Sequence, residues 1–123
     1  MDVNFIAMWQ RDENNNWYNL NEIDFVQNDI DSFGFVYVIW DYSDTVKVLR
    51  VGQGPLSENL SKYKNDSEIM KYEDLGELKV TWAIFPTKLL NGIESFLSYK
   101  LNPLLSKKRP IDFLIPVNLP LEV

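Results

Sequence analysis

Histidine and cysteine are both missing from the 123 residues of this chain. Without cysteine there is no disulfide framework and no thiolate metal site. Without histidine the chain lacks the commonest general base and metal ligand. Any chemistry must therefore use carboxylates, tyrosines, amides, lysine or arginine.

Long apolar runs are also absent. No stretch approaches the ~18 residues of a membrane span, and the first residues carry no basic segment followed by an apolar signal core. We therefore expect a soluble, cytoplasmic protein with no membrane partner. A chain of 123 residues with 46% hydrophobic content has the size and composition of one compact domain, residues 1–123.

Positive charge is scarce, because the formal net charge is -6 and the sequence pI is near 4.6. This balance argues against a generic nucleic-acid binder, since lysine and arginine supply most of the non-specific affinity for phosphates. The excess acid lies before Gly34, where seven acidic residues accompany Arg11, whereas eleven acids and eleven bases follow. We expect an N-terminal annex (residues 1–33) that suits a protein partner, while a local basic patch on the rest stays possible.

The remaining chain predicts an α+β fold with a small three-stranded antiparallel sheet flanked by helices. Residues 34–40 form a continuous aromatic and β-branched run, which is typical of a central strand covered on both faces. Apolar periodicity and turn signals predict the other elements. These are strands over 46–51 and 78–85, and helices over 55–64, 67–72 and 91–101.

The two ends are predicted to pack on this core. Residues 4–10 alternate loosely and suit a strand, and residues 17–26 suit a second strand or a helical turn. The core proper spans residues 34–110. The segment 111–123 is apolar but interrupted by two prolines, which favours an extended edge segment over a regular central strand.

The order of these elements and several short words resemble the GIY-YIG nuclease family. Phe35-Val36-Tyr37 stands where the family has GIY, Arg50-Val51-Gly52 stands where it has YIG, and Glu94 follows on the last helix. The resemblance covers about two thirds of the chain. It implies hydrolysis of phosphodiesters with one divalent metal, Mg²⁺ or Mn²⁺, held by a glutamate, with a tyrosine that helps to activate water and a helix arginine that steadies the phosphate.

Carried over by position, the resemblance makes Tyr37 the catalytic tyrosine and Glu94 the metal ligand. Gly52 is the motif glycine. Arg50 replaces the second tyrosine, and Asn59 stands where the helix arginine is expected. The resemblance therefore implies a weak or inactive endonuclease acting on DNA. The alternative is a non-catalytic protein- or nucleic-acid-binding module on the same fold, and the acidic annex leaves a nucleic-acid mimic as a third class.

The candidate residues also have structural interpretations. Tyr37 suits a core aromatic whose hydroxyl reaches one partner. With Asn91 as N-cap, Glu94 would stand at the third helical position and could close a capping box. Arg50 lies among apolar residues and needs a partner, which raises the hypothesis that it pairs with Glu94 as a phosphate clamp or as a replacement for the metal.

Four cations are candidates for binding nucleic acid. Lys62 lies on the first predicted helix, and the run Lys107, Lys108 and Arg109 follows the last one. Such lysines are more often solvated surface charges. Both interpretations of these residues remain open from the sequence.

Overall fold

The computed structural model describes residues 5–23, 33–42, 45–74, 77–105 and 113–121. Within these ranges the strands are β1 (Tyr18–Asn19), β2 (Phe33–Tyr42), β3 (Val46–Gly54) and β4 (Glu77–Pro86). The helices are α1 (Leu56–Lys64), α2 (Ser67–Met70) and α3 (Leu90–Leu101). Short 3-10 turns at Lys71–Asp74 and Thr87–Leu89 follow α2 and lead into α3.

The strands form an antiparallel sheet in the order β1-β4-β2-β3, which confirms the α+β prediction. The predicted number of three strands is wrong, because the described residues contain four. The additional strand is β1, which lies within residues 17–26, where a strand or a helical turn was predicted. In β1, Tyr18 pairs with Val80 and Asn19 pairs with Lys79. A two-residue strand is too short to show alternation in sequence, yet it covers the backbone edge that β4 would otherwise expose.

Strand β2 is covered on both faces, as predicted. Val36, Val38 and Trp40 pack in one buried cluster with residues of α3, and we call this side of the sheet the α3 face. Tyr37 and Ile39 point the other way into a cluster with residues of α1 and α2, which we call the α1 face. Successive side chains point to opposite faces of a strand, so a strand that is buried on both faces has the continuous apolar run seen in the sequence.

Helix ends follow local signals only in part. Pro55 stands at the N-cap of α1, one residue before the first helical position that proline favours, so the helix begins at Leu56 and not at residue 55. Helix α3 ends at Asn102, which has the left-handed φ of 46° that closes many helices. Its start differs from the prediction, because the 3-10 turn winds directly into Leu90 and Leu89 is the N-cap. Asn91 is therefore the second helical residue, and the predicted Asn91–Glu94 capping box is wrong.

The annex and the C-terminal segment pack against each other. The described residues before β1 contain no regular strand, so the first predicted annex strand is wrong, and Phe5 makes an isolated parallel bridge to Val117. The Asn118 side chain accepts from Ala7 N at 2.6 Å and donates to Ala7 O at 3.1 Å, and Trp9 Nε1 donates to Asn118 O at 2.8 Å. Side-chain amides replace ladder bonds here because two prolines interrupt the tail.

None of the helices in the described part of the chain has the length and apolarity that crossing a bilayer requires.

Candidate functional site

Tyr37 and Gly52 are direct neighbours across the β2–β3 pair. The Tyr37 ring lies over the Gly52 backbone so closely that an added Cβ would overlap the phenol oxygen and come within 2.8 Å of Cε1. The Tyr37 hydroxyl then meets the Tyr63 hydroxyl of α1 at 2.6 Å. The two motif residues are therefore brought together, and glycine is the residue that lets the phenol lie flat against β3.

This tyrosine pair is almost closed to solvent, with 2% of Tyr37 and 6% of Tyr63 exposed. Burial raises the pKa of the Tyr37 phenol well above its ordinary value, and Tyr63 and Glu94 raise it further, whereas Arg50 lowers it. Removing an ionised phenolate from water is unfavourable, and the charge of Arg50 offsets this cost only in part. Tyr37 is therefore a neutral hydrogen-bonding phenol at ordinary pH.

Arg50 lies on the same α1 side of β3 as this pair. Its Nη2 donates to Leu105 O at 2.8 Å, and its guanidinium carbon stands 5.2 Å from the centre of the Tyr63 ring. Its Nε is buried and has no hydrogen-bond partner among the described residues. Within those residues no ion pair joins Arg50 to Glu94, so the hypothesis of a direct Arg50–Glu94 pair is corrected.

Glu94 lies in the first half of α3, with 7% of the residue exposed. Burial raises the pKa of its carboxyl from 4.5 to about 7, while a hydrogen bond from Gln53 of β3 lowers it. Gln53 follows Gly52 directly, so its side chain projects to the other face of the strand and toward α3. Glu94 thus approaches the Tyr37 pair from the far side of edge strand β3, close enough to influence the pKa of Tyr37.

Gln53 links this carboxylate to a second oxygen. Its Nε2 donates to Asn91 Oδ1 at 2.6 Å. Asn91 and Glu94 are three residues apart, which places their side chains on one helix face. The Asn91 amide oxygen is consequently used across the helix–strand contact and not as a cap of its own helix.

The oxygen donors at this point suit a hard divalent cation. No group of three or more histidine, cysteine, aspartate or glutamate side chains occurs within the described ranges. Mg²⁺ does not require one, because it is commonly bound by one or two carboxylates and several waters. The Glu94 carboxylate with a neighbouring amide oxygen therefore fits Mg²⁺ or Mn²⁺.

Of the candidate cations, the structure describes Lys62, which lies on a different helix from this carboxylate. Lys62 is exposed on α1, and the Lys64 ammonium donates to the backbone oxygen of Ile23, which fastens the annex to the helix. Asn59, where an arginine was expected, donates from Nδ2 to Pro55 O. The run Lys107, Lys108 and Arg109 lies outside the described residues.

Two open clefts lie along the annex, with volumes of about 470 Å³ and about 290 Å³. Asp12, Trp17 and Asn19 line both of them. Arg11 stacks over the Trp17 ring at 3.9 Å, so part of the aromatic surface there is already covered by a cation of the chain itself.

Two side chains of the site were missed in the sequence. The apolar periodicity of α1 predicts that Tyr63 is buried, but periodicity does not predict the partner of a hydroxyl. Gln53 stood out in the sequence only as the residue that follows the motif glycine, in the register that resembles the family. Its position immediately after the motif glycine would have placed it on the opposite face of β3, but not against Glu94.

Comparison of the chain with protein-family models, with curated proteins and with solved structures gives no match.

Proposed function

We propose that this chain is a GIY-YIG-type nuclease-like domain that hydrolyses phosphodiesters of DNA weakly and with a divalent metal. The observation that carries the proposal is the packing of Tyr37 on Gly52, two motif residues that β2 and β3 bring into direct contact. Tyr37 and Gly52 therefore meet on the α1 face of the sheet edge, and Glu94 lies across edge strand β3 from them.

Each residue has a distinct part in this proposal. Glu94 would hold Mg²⁺ or Mn²⁺, which when bound supplies Lewis-acid stabilisation of charge on the phosphoryl oxygens. The Tyr37 hydroxyl orients water or a phosphate oxygen as a neutral donor, because its raised pKa disfavours the phenolate. Gly52 admits the phenol, and Arg50 places a cation against the tyrosine pair through its contact with Tyr63.

Weak hydrolysis is expected because the Tyr37 hydroxyl and the Arg50 guanidinium already have partners within the protein. The Tyr37 hydroxyl is bound to Tyr63, and the Arg50 guanidinium is bound to Leu105 O. No cation stands at Asn59 on α1. Loss of one preorganised group that stabilises transition-state charge costs roughly 10²–10³ in rate, so cleavage is expected to be slow.

Nucleic-acid affinity in this proposal comes from Lys62 together with Lys107, Lys108 and Arg109. Their contribution would be electrostatic, so binding should weaken steeply as salt is raised. The overall charge of -6 opposes binding, which is a second reason to expect a modest affinity.

The test is incubation of supercoiled plasmid and short single strands with wild type and Glu94→Gln in Mg²⁺ or Mn²⁺. Slow nicking is expected in wild type, none in the variant, and none in either protein with a chelator. Glu58→Gln is the matched control, because Glu58 is an exposed glutamate on α1, and it should cleave like wild type. Cleavage that persists undiminished in Glu94→Gln would refute the assignment of Glu94.

The alternative is a non-catalytic module that binds protein or nucleic acid on the same fold. The near-complete burial of Tyr37 favours it, since a phenol that is 2% exposed must be uncovered before it meets a substrate. The clefts along the acidic annex offer a place for a protein partner. Wild type that neither binds metal in calorimetry nor cleaves any substrate would favour this alternative.

A further inference from the structure

The side-chain amide of Gln53 lies between two oxygen atoms of α3. Its Nε2 donates to Asn91 Oδ1 at 2.6 Å, and the same side chain is the hydrogen-bond partner of the Glu94 carboxyl. Because the bond lowers the pKa of Glu94, the amide acts as the donor to the carboxylate. The Gln53 side chain therefore lies against two oxygen-bearing side chains, Asn91 and Glu94, that stand about one helical turn apart on α3.

An amide NH₂ group and a divalent cation are both stabilised by neighbouring oxygen atoms. The NH₂ group carries two partly positive hydrogens, so it is stable where two acceptor oxygens converge. Mg²⁺ and Mn²⁺ prefer carboxylate and amide oxygens, with water filling the remaining positions. The position of the Gln53 nitrogen is therefore one that a hard cation would also find favourable.

Solvent can reach the Gln53 amide and its oxygen partners from the Asn91 side. Asn91 is exposed, Gln53 is half-buried, and Glu94 is buried. A cation arriving from the Asn91 side could keep several of its waters while it meets the carboxylate. Gln53 lies on β3, the edge strand of the sheet, so its side chain can turn outward without crossing another strand.

We propose that Asn91 Oδ1 and the Glu94 carboxylate form a two-oxygen site for a divalent cation, and that the Gln53 amide is the group that the cation displaces. The proposal rests on the proposed function only for the role of Glu94. It adds Asn91 as a second protein ligand and makes Gln53 a competitor of the metal. Gln53 then reduces the affinity, because its two hydrogen bonds must break before the cation binds.

The experiment is calorimetric titration of Mn²⁺ into wild type and variants at pH 8, with circular dichroism to verify folding. Gln53→Ala should bind Mn²⁺ roughly tenfold more tightly, because a hydrogen bond to a charged group no longer competes. Asn91→Ala should bind at least about tenfold more weakly, and Glu94→Gln should not bind. Gln10→Ala is the matched glutamine control, since the Gln10 side-chain amide donates to nearby Met8 O, and it should match wild type.

Asn91→Asp gives a second readout that does not depend on a lost side chain. It replaces an amide oxygen with a carboxylate at the same position, so Mn²⁺ affinity should rise if that oxygen is a ligand. Unchanged affinity in both Asn91 variants overturns the proposal, and so does weaker binding in Gln53→Ala.

The outcomes separate this inference from the proposed function. Mn²⁺ binding that depends on Glu94 but not on Asn91 or Gln53 refutes the inference and is consistent with the proposed function. Binding that occurs in Gln53→Ala but not in wild type supports the inference, and it removes the metal-dependent function from the native chain. Absence of binding in every variant overturns both.

Discussion

Replacing Gly52 with alanine should destabilise the protein strongly. The new methyl group would overlap the Tyr37 phenol, which is a rigid ring held at its far end by Tyr63. Overpacking of this kind costs about 1–3 kcal/mol, and loss of a hydroxyl–hydroxyl bond adds about 1 kcal/mol. We expect the free energy of unfolding to fall by about 2–4 kcal/mol.

Urea unfolding followed by tryptophan fluorescence measures this change. With an m-value of about 2 kcal/mol per molar for a small domain, the midpoint should fall by roughly 1–2 M. Gly34→Ala is the matched control. Its added methyl would come within 2.6 Å of Leu90 Cδ1, which is the end of a flexible side chain, so a cost below about 1 kcal/mol is expected.

A double-mutant cycle assigns the effect to the phenol. In the Tyr37→Phe background the hydroxyl is gone, and Gly52→Ala should cost about 1 kcal/mol less than in wild type, because part of the overlap is removed. The reasoning fails if Gly52→Ala costs no more than Gly34→Ala, or if the two substitutions at 37 and 52 are strictly additive.

Three further predictions concern the rest of the site and its supporting helix. The raised pKa of Glu94 means that its stabilising contribution is complete below pH 4.5 and is lost as the pH rises through about 7. Wild type should therefore lose about 1–2 kcal/mol between pH 5 and pH 8 relative to Glu94→Gln, after allowance for solvent screening, and parallel pH profiles would contradict this. Arg50→Lys should lower the free energy of unfolding in urea by about 1 kcal/mol, because it loses the bond to Leu105 O and the contact with Tyr63. The variant should bind Mn²⁺ as tightly as wild type. A changed Mn²⁺ affinity would support a direct Arg50–Glu94 pair. Asn102→Ala should lower the free energy of unfolding, measured by thermal unfolding, by about 1 kcal/mol, because the φ of 46° penalises a Cβ. Asn102→Gly should lower it by less, and equal costs for the two variants would contradict this reasoning.

Much of the fold was predictable from local patterns. The apolar run in β2 and the periodicity of α3 each come from side chains that repeat with the geometry of their own element. Strand β1 was not predictable as part of the sheet, because two residues carry no period. The absence of a regular strand around Phe5 has a different reason: its partner segment is broken by prolines far away in the chain.

The candidate site was predictable in its residue types and not in its contacts. Tyr37, Gly52 and Glu94 were identified by their order along the chain, and absent histidine and cysteine restricted the chemistry to oxygen ligands and phenols. The contacts of Tyr63, Leu105 and Gln53 join residues that are distant in sequence. A periodic pattern records only which side of its own helix or strand is buried, so the partner of each buried polar group depended on how helices and strands pack in three dimensions.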